Sequence, residues 1–234
     1  MTDKAPVAQV KQLHGQALVE SLQRRFRTAM VNVTVRDRTF RILKPANPDD
    51  LIREEDFVKD ERLPYWADIW PSSTILAAKL LEMDGAGKTA LELGSGVGLC
   101  TMAATIAGFD VLSTDYYEDS LDFTRANAFA NLGAEARTRL FDWRHPPADV
   151  GRYDLAFASD VLYEREYAEL LPSIFSRALL PGGFAIVADP GRVAAPFFVE
   201  ACARIGLAAA KVETLPFESG EVRQRIDIYR ITRV

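Results

Sequence analysis

The stretch LELGSGVGL, residues 91–99, sets glycine at every second position, Gly94, Gly96 and Gly98, directly after an apolar run that begins at Leu91. The apolar residues before the loop read as a strand, and those after it open a helix. Such a loop lies at the carboxyl end of a strand, in the crevice where α/β sheets bind their ligands. Glycine there lets a ligand come close to the backbone. A dinucleotide fingerprint, G-x-G-x-x-G, starting at Gly94 would need its third glycine at position 99, and position 99 is Leu. What stands there instead is E-x-G-x-G-x-G, from Glu92 to Gly98.

Outward from the loop, helical and strand signals alternate from about residue 72. This is the pattern of a Rossmann-like, doubly wound α/β sheet. The periodicity predicts helices near 72–84, 97–107, 118–132, 164–180 and 194–206. It predicts strands near 88–94, 109–115, 136–141, 153–159, 183–189, 208–215 and 224–233. LLPGG, 179–183, reads as the end of a helix before the strand FAIVAD. FESGEV is short enough for a hairpin, so the sheet of about seven strands ends with an antiparallel one. Upstream, residues 7–30 carry apolar side chains at helical spacing (Val10, Leu13, Ala17, Leu18, Leu22, Phe26). They include the basic cluster RRFR, 24–27, which reads either as a solvated helix face or as a docking surface for a substrate or an anionic partner. VNVTVRDRTFRIL, 31–43, alternates as a β-hairpin. The expected division is an N-terminal helix and hairpin cover, 1–62, on a main domain, 63–234.

Composition narrows the function classes. The 234 residues are 48% hydrophobic and 26% charged, ordinary values for one globular core. Apolar runs stay short of the roughly 18 residues that cross a bilayer, and the first residues lack the apolar stretch of a secretory signal. The expectation is a cytoplasmic protein without a membrane partner. A net charge of −5 argues against a nucleic-acid surface. Cys100 and Cys202 have no CxxC partner, and His14 and His145 are the only histidines, so no metal site is expected.

The E-x-G-x-G-x-G loop resembles the first motif of the class I, seven-β-strand S-adenosylmethionine-dependent methyltransferases. The resemblance implies an enzyme with S-adenosyl-L-methionine as cofactor, its methionine part wrapped by the loop and its carboxylate met by amides of the helix N-terminus. An acidic residue about 20 positions on should take ribose hydroxyls. Asp115, 21 residues after Gly94, ends the second strand. In RLFDWRHPP, Asp142 and Trp143 stand where methyltransferases of this fold hold the adenine, and His145 beside them reads as a loop residue. The implied cofactor set is Trp70, Glu92, Gly94, Ser95, Gly96, Gly98, Leu99, Asp115, Tyr116, Asp142, Trp143 and Ser159.

After the fourth strand, YDLAFAS, comes DVLY, Asp160 to Tyr163. This D-x-x-Y tetrad resembles the protein-lysine methyltransferase family that includes the lysine methyltransferase of electron-transfer flavoprotein β. So does LPYWADIWPSSTILAAKLL, 63–81, with its Trp-Pro step. The resemblance implies Asp160 and Tyr163 as catalytic residues. Asp160 would orient the amine and stabilise the ammonium that forms. Tyr163 would hydrogen-bond it or offer a ring face, worth roughly 0.5–2 kcal/mol. The plainer alternative is that Asp160 caps the helix near Glu164 and Tyr163 packs in the core. Trp66 reads as lining the acceptor channel or as a core aromatic, and Asp189 in ADPGR as facing the substrate or holding a turn. Three functions stay open: transfer to a lysine of a protein substrate, transfer to nitrogen or oxygen of a small molecule such as an amine, and cofactor binding without turnover.

Overall fold

The computed structural model describes residues 12–51 and 64–234. Helix α1 (Gly15–Arg25) leads into a hairpin of β1 (Thr28–Val35) and β2 (Arg38–Pro45). The main sheet follows, with α2 (Pro71–Leu81), β3 (Thr89–Leu93), α3 (Leu99–Ile106), β4 (Asp110–Asp115), α4 (Glu118–Leu132) and β5 (Arg137–Leu140). The chain then forms β6 (Tyr153–Ser159), α5 (Arg165–Ala178), β7 (Leu179–Asp189), α6 (Ala195–Arg204), β8 (Leu207–Ser219) and β9 (Val222–Arg233).

Seven strands form one sheet in the order β5-β4-β3-β6-β7-β9-β8. β3 to β7 run parallel, and β9 is antiparallel to both its neighbours, as the expected hairpin end requires. The chain moves outward from β3 through β4 to β5, then returns to place β6 on the other side of β3. The crevice between the carboxyl ends of β3 and β6 is therefore the topological switch point. Side chains alternate between the faces of the sheet. Leu155 and Phe157 join the core beneath α1 to α4, whereas Ala156 and Ala158 join the core beneath α5 and α6.

Several boundaries differ from the sequence reading. The helical spacing over 7–30 is realised only from Gly15 to Arg25: Phe26 is already extended, Thr28 pairs with Pro45, and residues 7–11 lie outside the described residues. LLPGG does not end α5. The helix stops at Ala178, and Leu179 pairs with Tyr153, with a register shift before Leu155 pairs with Phe184. Pro181 and Gly182 are accommodated there as a bulge, a place that tolerates a residue without an N–H donor. β8 and β9 run to Ser219 and Val222, so only Gly220 and Glu221 turn the hairpin. The expected domain boundary at 62/63 lies outside the described residues. On its two sides, Leu18, Leu22, Phe40 and Ile42 share one apolar cluster with Leu76, Met102 and Phe123.

Candidate functional site

The glycine loop is pinned at the sheet edge by its own backbone. The Gly94 and Ser95 amides both donate to the Thr114 carbonyl, at 2.9 and 3.0 Å, tying the loop to the end of β4. The Gly96 carbonyl accepts from Ser120 Oγ (2.7 Å) and Thr124 Oγ1 (3.0 Å) of α4. Asp115 closes the arrangement: Oδ2 accepts the Gly96 amide at 3.0 Å and Oδ1 the Tyr117 amide at 3.1 Å. Burial pushes the Asp115 carboxyl up, against these amide hydrogen bonds that favour its charge. The Ser120 hydroxyl and the Tyr116 amide also hydrogen-bond this carboxyl and favour its charge.

Beneath the loop, Glu92 is buried and accepts from the Thr101 hydroxyl, which lies 2.9 Å from Ser113 Oγ. Burial pushes Glu92 up to about 8. The unfolded chain releases this proton near 4.5, so the fold holds it over the range between, and Glu92 costs stability progressively as pH rises through that window. Glu92→Gln is expected to melt at or near the wild-type temperature at pH 5 and above it at pH 9, followed by circular dichroism. A variant less stable at both pH values would contradict the assignment of a protonated Glu92.

These groups surround a cavity of about 350 Å³ at the switch point. Of the fourteen residues proposed from sequence, thirteen line it: Trp70, Glu92, Gly94, Ser95, Gly96, Leu99, Asp115, Tyr116, Asp142, Trp143, Ser159, Asp160 and Tyr163. Gly98 does not. It faces the Thr124 backbone of α4 and lets α3 start against that helix. Trp66 also lines the cavity, but on the glycine-loop side: its carbonyl would stand 3.2 Å from a Cβ at Gly96, and its ring packs on Phe123.

Trp143 lies against the loop, its ring 3.6 Å from where a Cβ on Gly94 would be, and meets Tyr167 edge-on at 5.2 Å. Its Nε1 is buried without a hydrogen-bond partner, a donor still to be satisfied. Asp142 is more committed than its sequence reading. Oδ1 accepts the Arg144 amide and Nε, and Oδ2 accepts from Arg144 Nη2 and lies 3.1 Å from His145 Nδ1. Partial burial raises its pKa, but the hydrogen bonds from Arg144 and His145 outweigh that and hold the carboxyl at about 2. His145 thus stays a loop residue, bound to Asp142.

At the other end stands Asp160, in left-handed backbone (φ 55°) and 7% exposed. Oδ1 accepts the Arg192 Nε–H at 2.8 Å and forms an ion pair with Nη2 at 2.8 Å, and Ser72 Oγ is 3.5 Å from Oδ2. Asp160 does not cap α5: that position is Glu164, and no side chain caps the helix. Tyr163 is not a core residue either. It is 38% exposed, with ring centroids 5.3 Å from Tyr65 and 5.2 Å from Tyr167. Trp70 donates from Nε1 to the Tyr65 carbonyl (2.9 Å) and lies under the Arg192 guanidinium at 5.7 Å. Tyr65, Tyr167 and Arg192 escaped the sequence reading. Tyr167, four residues after Tyr163 at the start of a helix, carried a usable spacing signal. Arg192 follows directly on the turn residues of ADPGR.

Among the described residues no cluster of His, Cys, Asp and Glu could hold a metal ion, and no helix is long and apolar enough to cross a membrane.

Comparison with known proteins places this geometry among relatives. A family profile described as lysine methyltransferase matches residues 55–189, more than half of the chain. The protein-lysine N-methyltransferase rrg1 of Schizosaccharomyces pombe is 30% identical over 139 residues, 53% of this chain and 46% of that protein. The electron transfer flavoprotein beta subunit lysine methyltransferase of Rattus norvegicus is 27% identical over 133 residues, 55% of this chain and 51% of its own length. The chain thus spans about half the length of the curated relatives it matches. Among solved structures, magnesium protoporphyrin IX methyltransferase from Synechocystis PCC 6803, with bound SAM, superposes with a TM-score of 0.54 at 19% identity, covering 76% of this chain and 85% of that one. That likeness speaks for the fold.

Proposed function

The chain belongs to the lysine methyltransferase family, and from that membership we propose that it binds S-adenosylmethionine in the 350 Å³ cavity and methylates a lysine side chain of a protein substrate. One observation carries the acceptor half of this reading: a buried carboxylate, Asp160, at a cavity end walled by Tyr65, Trp70 and Tyr163. That is an environment for a cation on an apolar stem.

The residues present fit the cofactor. The close-approach loop at Gly94 and Gly96 suits its methionine part, the Asp115 carboxylate on the cavity wall suits the ribose hydroxyls, and the Trp143 face, with an unpaired buried Nε1, suits the base. Tyr116, Leu99, Ser95, Ser159 and Trp70 complete the wall, with Glu92 beneath. When bound, S-adenosylmethionine supplies an electrophilic methyl group on a sulfonium. The chain's own contribution is alignment, exclusion of water and charge. A lysine amine is protonated near neutral pH and must shed a proton before it reacts. The Asp160 carboxylate holds the neutral amine by an N–H hydrogen bond and opposes the positive charge that forms on nitrogen. Tyr163 and Tyr65 confine the amine and shield it from water. We take residues 63–234 as the catalytic unit, with the N-terminal helix and hairpin as its cover. The proposed setting is the cytoplasm, with a protein rather than a nucleic acid as partner.

The test is incubation with S-adenosylmethionine labelled in the methyl group, against cell proteome and against the small-molecule fraction. Label on a protein lysine supports the proposal, and label confined to small molecules overturns it. For the cofactor, Asp115→Ala is expected to weaken S-adenosylhomocysteine binding by roughly 1–3 kcal/mol, the size of charge-assisted hydrogen bonds. Calorimetry that finds tight NADH binding and no heat with S-adenosylhomocysteine would sink the cofactor assignment.

A further inference from the structure

Asp189, at the end of β7, has no place in the chemistry above, yet it is a fully buried carboxylate with one oxygen left unpaired. It is 0% exposed and does not line the cavity. Oδ1 accepts the amides of Gly191 and Arg192, at 2.8 and 2.7 Å, which folds the turn that carries Arg192 back towards Asp160. Oδ2 is buried with no hydrogen-bond partner. A turn needs only Oδ1, and Asn would supply that acceptor without a buried charge. The second oxygen is therefore a cost without a structural return.

A count of charge gives it a purpose. Asp160 and Arg192, joined by one hydrogen bond and an ion pair, each at 2.8 Å, sum to zero. A neutral pair attracts an ammonium poorly. With Asp189 ionised behind it, the cluster carries one net negative charge, facing the cavity through Asp160. Resting on the amine-acceptor reading above, we infer that Asp189 is a positioning residue that aims Arg192 and supplies the net charge by which the Asp160–Arg192 pair binds a lysine ammonium and stabilises the methylated ammonium product.

The surroundings agree. On β9, Asp227 pairs in register with Asp189 but is balanced by Lys211 Nζ at 3.2 Å, and Tyr229 is a buried neighbour on the same strand. On the β6 side stands Asp160, and on its own turn Arg192; Ser72 of α2 is uncharged. Burial, helped by the Asp160 charge, holds Asp189 up at about 6. The cluster then gains its net negative charge as pH rises through about 6. The same shift means that Asp189 lowers stability as pH rises from the unfolded value near 3.8 to about 6. Function and stability pull in opposite directions at this residue.

The experiment uses the full chain saturated with S-adenosylhomocysteine and the probe n-butylammonium, which copies the end of a lysine side chain, with binding followed by tryptophan fluorescence. Asp189→Asn is expected to weaken the probe roughly tenfold, the effect of one charge nearby at an effective dielectric of about 20. It should remove the wild type's loss of probe affinity below pH 6. Its melting temperature at pH 7.5 should equal or exceed that of the wild type, and S-adenosylhomocysteine affinity should be unchanged. Adding Arg192→Gln to Asp189→Asn leaves Asp160 as the one charge, restores the count, and should recover most of the lost affinity. The inference is overturned if the wild type does not bind the probe, if Asp189→Asn binds it as the wild type does, or if the double variant is no better than the single. Lower stability in Asp189→Asn would assign Asp189 to the turn alone. A wild type that binds the probe but labels no protein lysine would refute the acceptor proposal and leave the charge count standing.

Discussion

Asp160→Asn is expected to lower methyl transfer to the protein acceptor by a hundredfold or more, while S-adenosylhomocysteine affinity and melting temperature stay close to wild type. The backbone at Asp160 is left-handed (φ 55°), a conformation that Asn tolerates nearly as well as Asp, so the exchange is not a backbone mutation. The Asn carbonyl still accepts the Arg192 Nε–H. Arg192, with its side chain 35% exposed, stays partly solvated and faces Asp189, so no isolated buried cation is created. What disappears is the charge against which the ammonium of the proposed reaction would develop. Removing one preorganised electrostatic group costs on the order of 3–4 kcal/mol in the transition state, a factor of about 10² to 10³ in rate. The comparison needs single-turnover rates on the labelled acceptor beside calorimetric S-adenosylhomocysteine affinity. Normal turnover would remove Asp160 from the chemistry. A joint fall of affinity, stability and turnover would make it a structural residue.

The parts of this site that were legible in the sequence are those built from one segment. Parallel strands covered on both faces read as apolar runs, so TALEL and YDLAFAS announced β3 and β6, and the loop between β3 and α3 followed from three glycines. Asp115 was reachable because the length of one helix and one strand fixes its distance from Gly94. The pairings that complete the site are not local. Arg192 meets Asp160 across 32 residues, and Tyr65 meets Tyr163 across nearly a hundred, so no window of sequence contains either contact. Asp142 shows the opposite limit. Its position was readable, but its near neighbours Arg144 and His145 occupy its oxygens, which leaves less of it for a ligand than the motif suggests. The strand that begins at Thr28 was hidden because Phe26 continues a helical spacing that the hairpin's pairing with Pro45 overrides.

Gly98 belongs to the glycine motif by spacing but does not touch the cavity, and that separates it from Gly94 and Gly96 in a measurable way. It precedes α3 with φ 89° and ψ 18°, and a Cβ there would stand 3.0 Å from Thr124 Cα and 3.2 Å from Thr124 Oγ1. Gly98→Ala therefore carries two costs. The left-handed conformation takes roughly 1–2 kcal/mol for a residue with a Cβ. The clash with the α4 backbone adds strain, because a main-chain atom cannot move aside as a side chain does, for a total of about 2–4 kcal/mol. In a chain of this size that lowers the melting temperature by about 5–15 °C. Gly133, which ends α4 at φ 76° with open space around it, separates the two costs: Gly133→Ala should lose only the conformational part. The consequence for binding follows from Thr124, whose hydroxyl holds the Gly96 carbonyl at 3.0 Å. Pushing α4 away loosens that bond and the loop with it, so Gly98→Ala should weaken S-adenosylhomocysteine binding although the residue makes no contact with the cavity, whereas Gly133→Ala should not. Thermal melts and calorimetry on the two variants decide the matter. Equal stability losses, or unchanged affinity in Gly98→Ala, would show that α3 and α4 have room to part and that the third glycine of the motif is dispensable.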